Sequence, residues 1–437
     1  MQQTLFQRLL VCTIFSTVGI LCHAQNLPGD TLYTDNYVLD SLLANADTLE
    51  IGPDSIGELT VDDNILCFFD EAMAWLDTTD CSATDIVEDL PDSVYKARLQ
   101  ALPFVIEVPY NSVVKGFIHH YIHRAPRQLA SLSRLSEYYF PMFEDILARY
   151  ELPFELCYLA VIESALNPLA RSRVGAAGLW QFMPSTGKLY GLEINSLVDE
   201  RQDPIRSTEA ACRYLKNLHS LFGDWNLAIA SYNCGPGNVN KAIRRAGGKR
   251  DFWSIYPYLP RETRSYLPIF IAAAYAMNYA DQHGICPTPI DRPVLTDTLH
   301  TDRRMHLQQV AEVMHIDMQE LRRLNPQYRM DILPGGKTYS LCLPIEKAGA
   351  FIEYQDTILA HKADQLIHNR RAEIDLAQRS GLNGSYRVNG VTYYKVRKGD
   401  TLGGIARKYH CTVKQLQRWN KLKGTNIRIG QTLRIGG

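Results

Sequence analysis

Basic residues are absent from a long stretch near the start of the chain. Residues 25–95 contain 17 Asp or Glu and no Lys or Arg, whereas residues 96–437 carry 45 Lys plus Arg against 30 acids. The net charge of −1 therefore hides an acidic segment followed by a basic remainder. The two parts could attract each other or different partners. A solvated, partly disordered region over residues 25–104 is the simpler interpretation.

Long apolar runs are also scarce. Leu9–Leu21 is apolar, follows a single charge at Arg8 and precedes Cys22-His23-Ala24, and no second run reaches membrane-spanning length. Such a run is short for a membrane span, so the pattern predicts a secretory signal over residues 1–24 that is cleaved after Ala24. A lipid anchor on Cys22 is the alternative, and we expect membrane association only in that case.

The ten cysteines lack the spacing of a metal site, because no Cys-x-x-Cys pair occurs. Cys12 and Cys22 fall in the signal, and the other eight would meet an oxidising compartment. An even number permits disulfides, but no spacing selects a pairing. We expect neither a metal nor a cofactor.

Alternating apolar and polar residues, which would indicate strands, are missing between residues 111 and 280. The patterns instead predict an all-α domain. Its last helix is almost wholly apolar and is therefore expected at the centre of the core. The predicted helical segments are a stretch after Pro126, Glu144–Tyr150, Pro153–Glu163, Thr208–Leu215, Trp225–Tyr232 and Tyr266–Asn278.

A repeat with an offset of 95 residues follows this domain. Apolar, Gly and Asn positions of the second copy recur in the first without a gap, and each copy is predicted to fold as helix, turn, helix and strand. The second copy also opens with a strand, Tyr393–Val396, and a charged connector over residues 346–390 separates the copies. The matching positions are Leu402, Ile405, Ala406, Leu416, Asn420 and Gly430 with Leu307, Val310, Ala311, Leu321, Asn325 and Gly335.

Glu163 is the first candidate for chemistry. It ends the apolar run Leu156–Ile162 and precedes a stop at Asn167-Pro168. Desolvation at such a position raises the pKa of a carboxyl group and makes it a proton donor near neutral pH. A solvated surface Glu is the ordinary alternative.

Three later segments could complete a cleft. Gln181 and Met183, within Gly178–Gly187, offer an amide and a soft apolar wall, although a loop with core aromatics is the alternative. Tyr232 and Asn233 precede a Gly-Pro-Gly turn and could bind a ligand, or Asn233 could simply end a helix. The Tyr266 hydroxyl could reach the same cleft or be a satisfied core group.

Together these segments resemble the four signature segments of lytic transglycosylases of the membrane-bound lytic murein transglycosylase D type. The resemblance covers about residues 105–285 and implies an all-α, goose-lysozyme-like catalytic domain. The repeat resembles the LysM module, a small α+β unit of βααβ order, strongly over 391–437 and weakly over 290–345. The signature residues are Glu163-Ser164, Gly178–Thr186, Tyr232-Asn233 and Glu262–Tyr266, with Pro153–Leu156 and Val198–Arg201 beside them.

The resemblance implies cleavage of the β-1,4 bond between N-acetylmuramic acid and N-acetylglucosamine in peptidoglycan, giving 1,6-anhydromuramoyl products. Glu163 would act as general acid and then as general base. Glu262 is a rival acid, but Arg261 and Arg264 beside it favour a salt bridge. The implied substrate-binding residues are Ser164, Gln181, Met183, Tyr232, Asn233 and Tyr266.

Glycan binding is expected from the second LysM copy, through Gly399, Asp400, Thr401, Leu402 and Asn420. The first copy has Arg303-Arg304-Met305-His306 where the Gly-Asp-Thr segment should stand. From Thr392 onward the chain carries 11 Lys or Arg and one Asp. Such a patch suggests nucleic acid, but secretion makes anionic cell wall the better partner, so we expect no nucleic acid.

The expected protein is a monomer secreted across the inner membrane, placed in the periplasm or at the outer membrane and cell wall, with peptidoglycan glycan strands as its partner. Two rival functions remain open. A hydrolytic muramidase would need a positioned water and usually a second carboxylate. A wall-binding scaffold would keep the enzyme fold without activity.

Overall fold

The computed structural model describes two long stretches, residues 89–286 and 295–367, and shorter pieces around them. Before residue 89 the acidic region is described only at 66, 70, 73–76 and 82–83, and the predicted signal with Cys22 lies outside the described residues. No helix in the described part of the chain is both long and apolar enough to cross a membrane. The remaining described pieces are 385–388, 391–396, 400–409, 411–420, 422, 424–428 and 430–435.

The first long stretch is a helical domain, as the sequence predicts. Two-residue strands, β1 (Ser82–Ala83) and β2 (Ile285–Cys286), pair antiparallel. A π-helix over His120–Arg124 and a 3₁₀ turn over Phe154–Cys157 interrupt the helices. The helices are α1 (Asp92–Ala101), α2 (Ser112–His119), α3 (Pro126–Arg149), α4 (Tyr158–Ser164), α5 (Pro184–Leu189), α6 (Pro204–Phe222), α7 (Trp225–Cys234), α8 (Pro236–Arg245), α9 (Phe252–Ile255) and α10 (Arg261–Tyr279).

Helix α10 forms the centre of this domain. Its residues from Leu267 to Ala276 are all buried, and it packs against α2, α4 and α7. A helix that is apolar on every face must be surrounded by protein, because no face of it is compatible with water. The prediction of a central helix is confirmed, and the helix begins at Arg261, five residues before the predicted start.

Two local expectations differ from the structure. Pro153 does not begin the Glu163 helix, because a 3₁₀ turn intervenes and α4 begins only at Tyr158. Helix α1 lies in the region expected to be partly disordered, yet it packs on the helical domain. Its Tyr95 is fully buried, and Arg98 Nη1 donates to the Tyr275 hydroxyl at 2.9 Å. Burial of an aromatic ring and a hydrogen bond to α10 hold this helix against the domain.

The second long stretch contains the first LysM-like module. Strand β3 (Thr296–Thr301) pairs antiparallel with β6 (Tyr339–Pro344), and β4 (Met305–His306) pairs with β5 (Ile332–Leu333). Between them lie α11 (Leu307–Met314), α12 (Met318–Leu324) and a 3₁₀ turn, Arg329–Asp331. The predicted order of strand, two helices and strand is therefore present.

The structure extends this module beyond the predicted boundary at residue 345. Helix α13 (Ile345–Ala360) packs Phe351 and Ile358 into the core of the module. These residues are seven apart, so they share one face of a helix. The expected connector therefore begins as a packed helix, followed by a short turn of helix, α14 (Ala363–Leu366), and residues 368–384 lie outside the described residues.

The second module repeats the first. Strands β7 (Ser385–Val388), β8 (Val391–Lys395) and β9 (Thr432–Ile435) form one antiparallel sheet beside α15 (Leu402–Lys408) and α16 (Val413–Asn420). In both modules an asparagine at the equivalent position forms side-chain hydrogen bonds with the backbone N–H and C=O groups of one residue in the last strand. Asn325 does so with Cys342, and Asn420 with Arg434, all at 2.6–2.9 Å. Equivalent contacts at the predicted offset indicate that the copies share one fold.

Candidate active site

Glu163 lies in the last turn of α4. The helix ends there because Ala165 and Leu166 adopt left-handed backbone angles, with φ of 49° and 59°. The carbonyl groups at a helix C-terminus carry partial negative charge, which disfavours a neighbouring carboxylate. Leu159, Ala160 and Val161 behind it are buried, so the helix presents Glu163 from an apolar base.

The Glu163 side chain is only partly exposed, and among the described residues its one hydrogen-bond partner is a tyrosine. The Tyr266 hydroxyl on α10 donates to Glu163 Oε1 at 2.5 Å. Burial raises the pKa of Glu163 to about 7, and the hydrogen bond from Tyr266 opposes this rise. No cation of the described residues forms an ion pair with this carboxyl group. The desolvated acid expected from the sequence is therefore present.

Tyr232 and Tyr266 both lie close to the Glu163 carboxyl group. The Tyr232 hydroxyl donates to the carbonyl of Trp180 at 2.8 Å. Burial and then the charge of Glu163 raise the pKa of Tyr232 well above its ordinary value. The pKa of Tyr266 is raised for the same two reasons. Both hydroxyls therefore stay protonated and can donate hydrogen bonds, and the structure brings α7, α10 and α4 together around one carboxyl group.

Ser164, a predicted substrate-binding residue, follows Glu163 at the end of α4. It is buried, and its hydroxyl bonds to the carbonyl of Leu179 at 2.9 Å and that of Ala160 at 3.1 Å. A hydroxyl group has a single hydrogen, so the two carbonyl groups share it, and the Ser164 side chain ties α4 to the segment Gly178–Thr186. The substrate contact of Ser164 stays a prediction.

Three further predicted substrate-binding residues, Gln181, Met183 and Asn233, are partly or largely exposed. Gln181 is half-buried with a left-handed φ of 45°, and its Nε2 donates to the Gly178 carbonyl at 2.8 Å. Met183 is 39% exposed. Asn233 is exposed and accepts a hydrogen bond from the Thr263 hydroxyl at 2.8 Å. Helix α7 ends at Gly235, so Asn233 is not the residue that caps it.

Two other carboxyl groups can be compared with Glu163. Glu155 is buried, but its Oε1 accepts hydrogen bonds from the backbone N–H groups of Val105 and Ile106 at 2.6 and 2.7 Å. Its hydrogen bonds stabilise the chain before α2. Glu262 is exposed in the first turn of α10. Neither therefore shares the surroundings of Glu163.

The sequence analysis assigned no role to two residues that support the site, although both lie in the signature or flanking segments. Thr263 orients Asn233, and Arg201 Nη1 donates to the carbonyl of Phe182 at 2.9 Å, next to Gln181. A threonine three residues before Tyr266 would fall on the same face of a helix. That spacing was the available signal for Thr263. Arg201 lies in the polar run 199–203, which carries no comparable signal.

One group of side chains could in principle hold a cation. Ligand atoms of Asp89, His119 and His123 lie within 4.8 Å of one another. The Asp89 carboxylate, however, already lies 2.8 Å from His119 Nε2 and 3.7 Å from the Lys115 ammonium group. A positive charge at that distance opposes the entry of a metal ion. This group is best described as an ion-pair cluster.

The predicted glycan-binding residues of the second module differ in their burial and in their hydrogen bonds. Asp400 accepts a hydrogen bond from the Tyr394 hydroxyl at 2.6 Å, and Thr401 caps the start of α15 through the N–H of Gly404. Leu402 is buried in the module core, and the Asn420 side chain bonds to the backbone, so neither position fits direct glycan contact. Gly399 lies outside the described residues. The buried members of this set serve the fold.

Three known families match the chain. The Transglycosylase SLT domain matches residues 141–254, the LysM-like domain of lytic transglycosylase MltD matches 295–360, and the LysM domain matches 394–436. The first match contains Glu163 and Tyr232, and it ends before Tyr266. The second match extends through α13, in agreement with the packing of that helix.

Two relatives and one solved structure complete the comparison. Membrane-bound lytic murein transglycosylase D of Escherichia coli is 31% identical over 333 residues, covering 75% of this chain and 70% of that protein. Soluble lytic murein transglycosylase of Escherichia coli is 32% identical over 177 residues, covering 38% and 26%. The crystal structure of the soluble Escherichia coli enzyme gives a TM-score of 0.28 at 21% identity, covering 45% and 38%.

Proposed function

Since this chain belongs to the family of membrane-bound lytic murein transglycosylase D, and is a peptidoglycan lytic transglycosylase, we propose that it cleaves the β-1,4 bond between N-acetylmuramic acid and N-acetylglucosamine without water as the nucleophile. The products would carry a 1,6-anhydromuramoyl end. The observation that most supports this is a partly exposed carboxyl group with one tyrosine partner. No other carboxylate of the described residues contacts it or acts on its charge.

In the first step Glu163 donates its proton to the glycosidic oxygen. A pKa of about 7 keeps a large fraction of the group protonated at neutral pH. The bond between C1 of the muramic acid and that oxygen breaks, and the leaving sugar keeps the proton as a hydroxyl group. Positive charge develops at C1, and the acetamido group of the substrate stabilises it.

In the second step the Glu163 carboxylate takes the proton of the muramoyl 6-hydroxyl, and O6 bonds to C1 to close the anhydro ring. The enzyme thereby recovers the proton that it gave. Between the steps Tyr266 donates to the carboxylate, and charge-assisted hydrogen bonds of this kind are stronger than neutral ones. One carboxyl group therefore suffices, which is why a second acid is not needed in this mechanism.

The surrounding side chains would bind the sugars. Met183 offers an exposed apolar wall, and Gln181 and Asn233 offer amide groups at the rim. Tyr232 and Tyr266 would hold the acid and the reacting ring in place. We assign Ser164 to the positioning of the segment Gly178–Thr186, since its hydroxyl bonds to the carbonyl of Leu179.

The C-terminal LysM domain would bind the same polymer. Its many Lys and Arg side chains are suited to an anionic wall, and a tethered binding domain raises the local concentration of glycan at the catalytic cleft. We place the enzyme at the cell wall of the periplasm. Detection of the protein in the cytoplasmic fraction after cell fractionation would contradict this placement.

The decisive experiment is mass spectrometry of purified sacculi digested with the wild-type protein and with Glu163→Gln. We expect 1,6-anhydromuramoyl products from the wild type and almost none from the variant. Reducing ends that take up ¹⁸O from labelled water would indicate a hydrolytic muramidase instead. A wild-type protein that binds sacculi without releasing fragments would indicate a scaffold.

A further inference from the structure

The first LysM-like module is joined to the helical domain by backbone hydrogen bonds. Asp199 N donates to the carbonyl of Gln327 at 2.9 Å, and Arg329 N donates to the carbonyl of Leu197 at 2.7 Å. These bonds form a short antiparallel bridge between Val198 and Tyr328. Leu197 and Val198 are also buried within the hydrophobic core of the module. Residues 197–199 of the helical domain are therefore also part of the backbone pairing and the hydrophobic core of the module.

Polar side chains reinforce this junction. The Lys337 ammonium group lies 2.5 Å from the Glu193 carboxylate, and the Tyr339 hydroxyl donates to the same carboxylate at 3.1 Å. Both donors come from the module, and Glu193 lies four residues before Leu197. The junction thus combines buried apolar surface, backbone pairing and an ion pair.

A buried charge cluster lies at the centre of the junction. The Asp199 carboxylate has no exposed surface and accepts hydrogen bonds from Arg201 at 2.8 and 3.0 Å and from Arg171 at 3.3 Å. It also accepts one from Arg329 of the module. A carboxylate this deeply buried is stable only with cations around it. Arg329 therefore supplies part of the charge that holds Asp199, and through it Arg201, in place.

Arg201 connects this cluster to the catalytic cleft. Its Nη1 donates to the carbonyls of Gly175 and Phe182 at 2.7 and 2.9 Å. Gly178 packs on the Arg201 backbone so closely that a Cβ there would come within 1.6 Å of the Arg201 carbonyl oxygen, and its φ is +86°. Residues 175–183, which carry Gln181 and Met183, are consequently shaped by Arg201. We call residues 175–183 the cleft loop.

We propose that the first LysM-like module stabilises the catalytic conformation of the cleft loop, and that Arg329 is a positioning residue for the reaction. This inference rests on the proposed function of the cleft. The module would then act on turnover, while the second module would act on wall binding. The departures from the LysM pattern at Arg303–His306 agree with a module whose role has shifted from glycan binding to support of the catalytic domain.

The test compares Arg329→Gln, Arg329→Lys and Arg322→Gln in the full-length chain. Arg322 is the matched control because it lies in the same module and pairs with Asp331 at 2.8–2.9 Å. Three measurements are made under conditions in which circular dichroism shows that every variant is fully folded. They are kcat on soluble uncrosslinked glycan chains, binding to insoluble sacculi, and amide hydrogen exchange of the cleft loop.

We expect Arg329→Gln to lower kcat about fivefold to tenfold, because displacement of substrate-contacting groups by a fraction of an ångström is costly. Hydrogen exchange in the cleft loop should become faster, and sacculus binding should not change. Arg329→Lys keeps the positive charge without the planar fork, so it should recover part of the rate. Arg322→Gln should match the wild type in all three measurements.

Unchanged exchange in the cleft loop of Arg329→Gln would overturn the inference, whatever happens to kcat. Faster exchange with unchanged kcat would overturn the catalytic role of the loop. If the wild type releases no anhydro products, the proposed function fails, yet the exchange comparison still decides whether Arg329 holds the loop. Should Arg329→Gln not fold, Lys337→Gln removes the Glu193 ion pair and the contact of the Lys337 ammonium group with the Tyr339 ring, and absence of faster exchange there would count against the proposal.

Discussion

Two buried carboxyl groups, one in the cleft and one at the junction between the helical domain and the first module, have opposite surroundings. Glu163 has a tyrosine partner and, in the described part of the chain, no cation beside it, and burial raises its pKa to about 7. Asp199 is more deeply buried, and burial alone would raise its pKa too. Hydrogen bonds from Arg201 and the charges of Arg201 and Arg329 instead lower its pKa below the ordinary value.

The difference shows that burial alone does not decide the charge of a carboxyl group, because cations around it can outweigh the effect of burial. Without a cation among the described residues, Glu163 has a pKa near neutral pH, which suits the proposed donation and acceptance of a proton. Among arginines, Asp199 is held as a permanent anion, which suits a structural connection. The predictions below separate these two roles.

The largest expected effect is on activity. Glu163→Gln should lower the rate of anhydro product formation by a factor on the order of 10² to 10⁴, because the general acid is lost. Product formation on sacculi, followed by mass spectrometry, measures this rate. Glu262→Gln is the matched control, since it makes the same substitution at an exposed carboxyl group on α10, and it should retain nearly full activity.

Loss of the Asp199 carboxylate at the junction should lower the stability of the folded chain. Asp199→Asn should lower the free energy of unfolding by about 3 to 5 kcal/mol, because it leaves three arginines around a neutral group. Urea unfolding followed by circular dichroism measures the change. Asp145→Asn removes an exposed partner of Arg149 and should cost less than about 1 kcal/mol. Equal effects of the two substitutions would contradict the comparison.

The same comparison predicts opposite dependence of stability on pH. Glu163 has a higher pKa in the folded chain, about 7, than its ordinary 4.5, so its contribution to stability falls as the pH rises through this window. Glu163→Gln should therefore be more stable than the wild type at pH 8 by about 1 to 3 kcal/mol, and the two should converge near pH 4.5.

Asp199 provides the opposite case for this measurement. Its folded pKa is lowered, so its stabilising contribution is present at neutral pH and is lost as the pH falls through that pKa. The cost of Asp199→Asn should hence shrink in acid, while the benefit of Glu163→Gln grows in base. Parallel pH profiles for the two variants would show that their surroundings are not as different as the structure indicates.

The smallest expected effect comes from the tyrosine partner. Tyr266→Phe removes the hydrogen bond that lowers the pKa of Glu163, so the fall of activity at alkaline pH should move to higher pH. The rate at neutral pH should fall a few-fold, because the carboxylate loses a hydrogen-bond donor between the two steps. Tyr275→Phe, on the same helix but bonded to Arg98, should leave the pH profile unchanged.

Much of the architecture could be predicted from local patterns. The apolar segment Tyr266–Asn278 predicted a central helix, and the offset of 95 residues predicted two modules of one fold, with Asn325 and Asn420 at equivalent positions. Helix boundaries were less accurate, as at Pro153, because a 3₁₀ turn and an α-helix begin with similar residues. Glycan contacts predicted for Leu402 and Asn420 did not fit, because motif positions in a small module also hold its core.

The sequence by itself determined that Glu163 would be desolvated, since an apolar run before a helix stop leaves little water around its last residue. Only the tertiary structure decided which group would form a hydrogen bond with the Glu163 carboxyl group. Tyr266 is 103 residues away along the chain, and Arg329 lies 130 residues from Asp199. Local periodicity reports which face of a helix is buried, but the pKa of a carboxyl group depends on neighbours from other helices and another module. Burial raises the pKa of Glu163 despite the hydrogen bond from Tyr266, whereas the arginines around Asp199 lower the pKa of that carboxyl group.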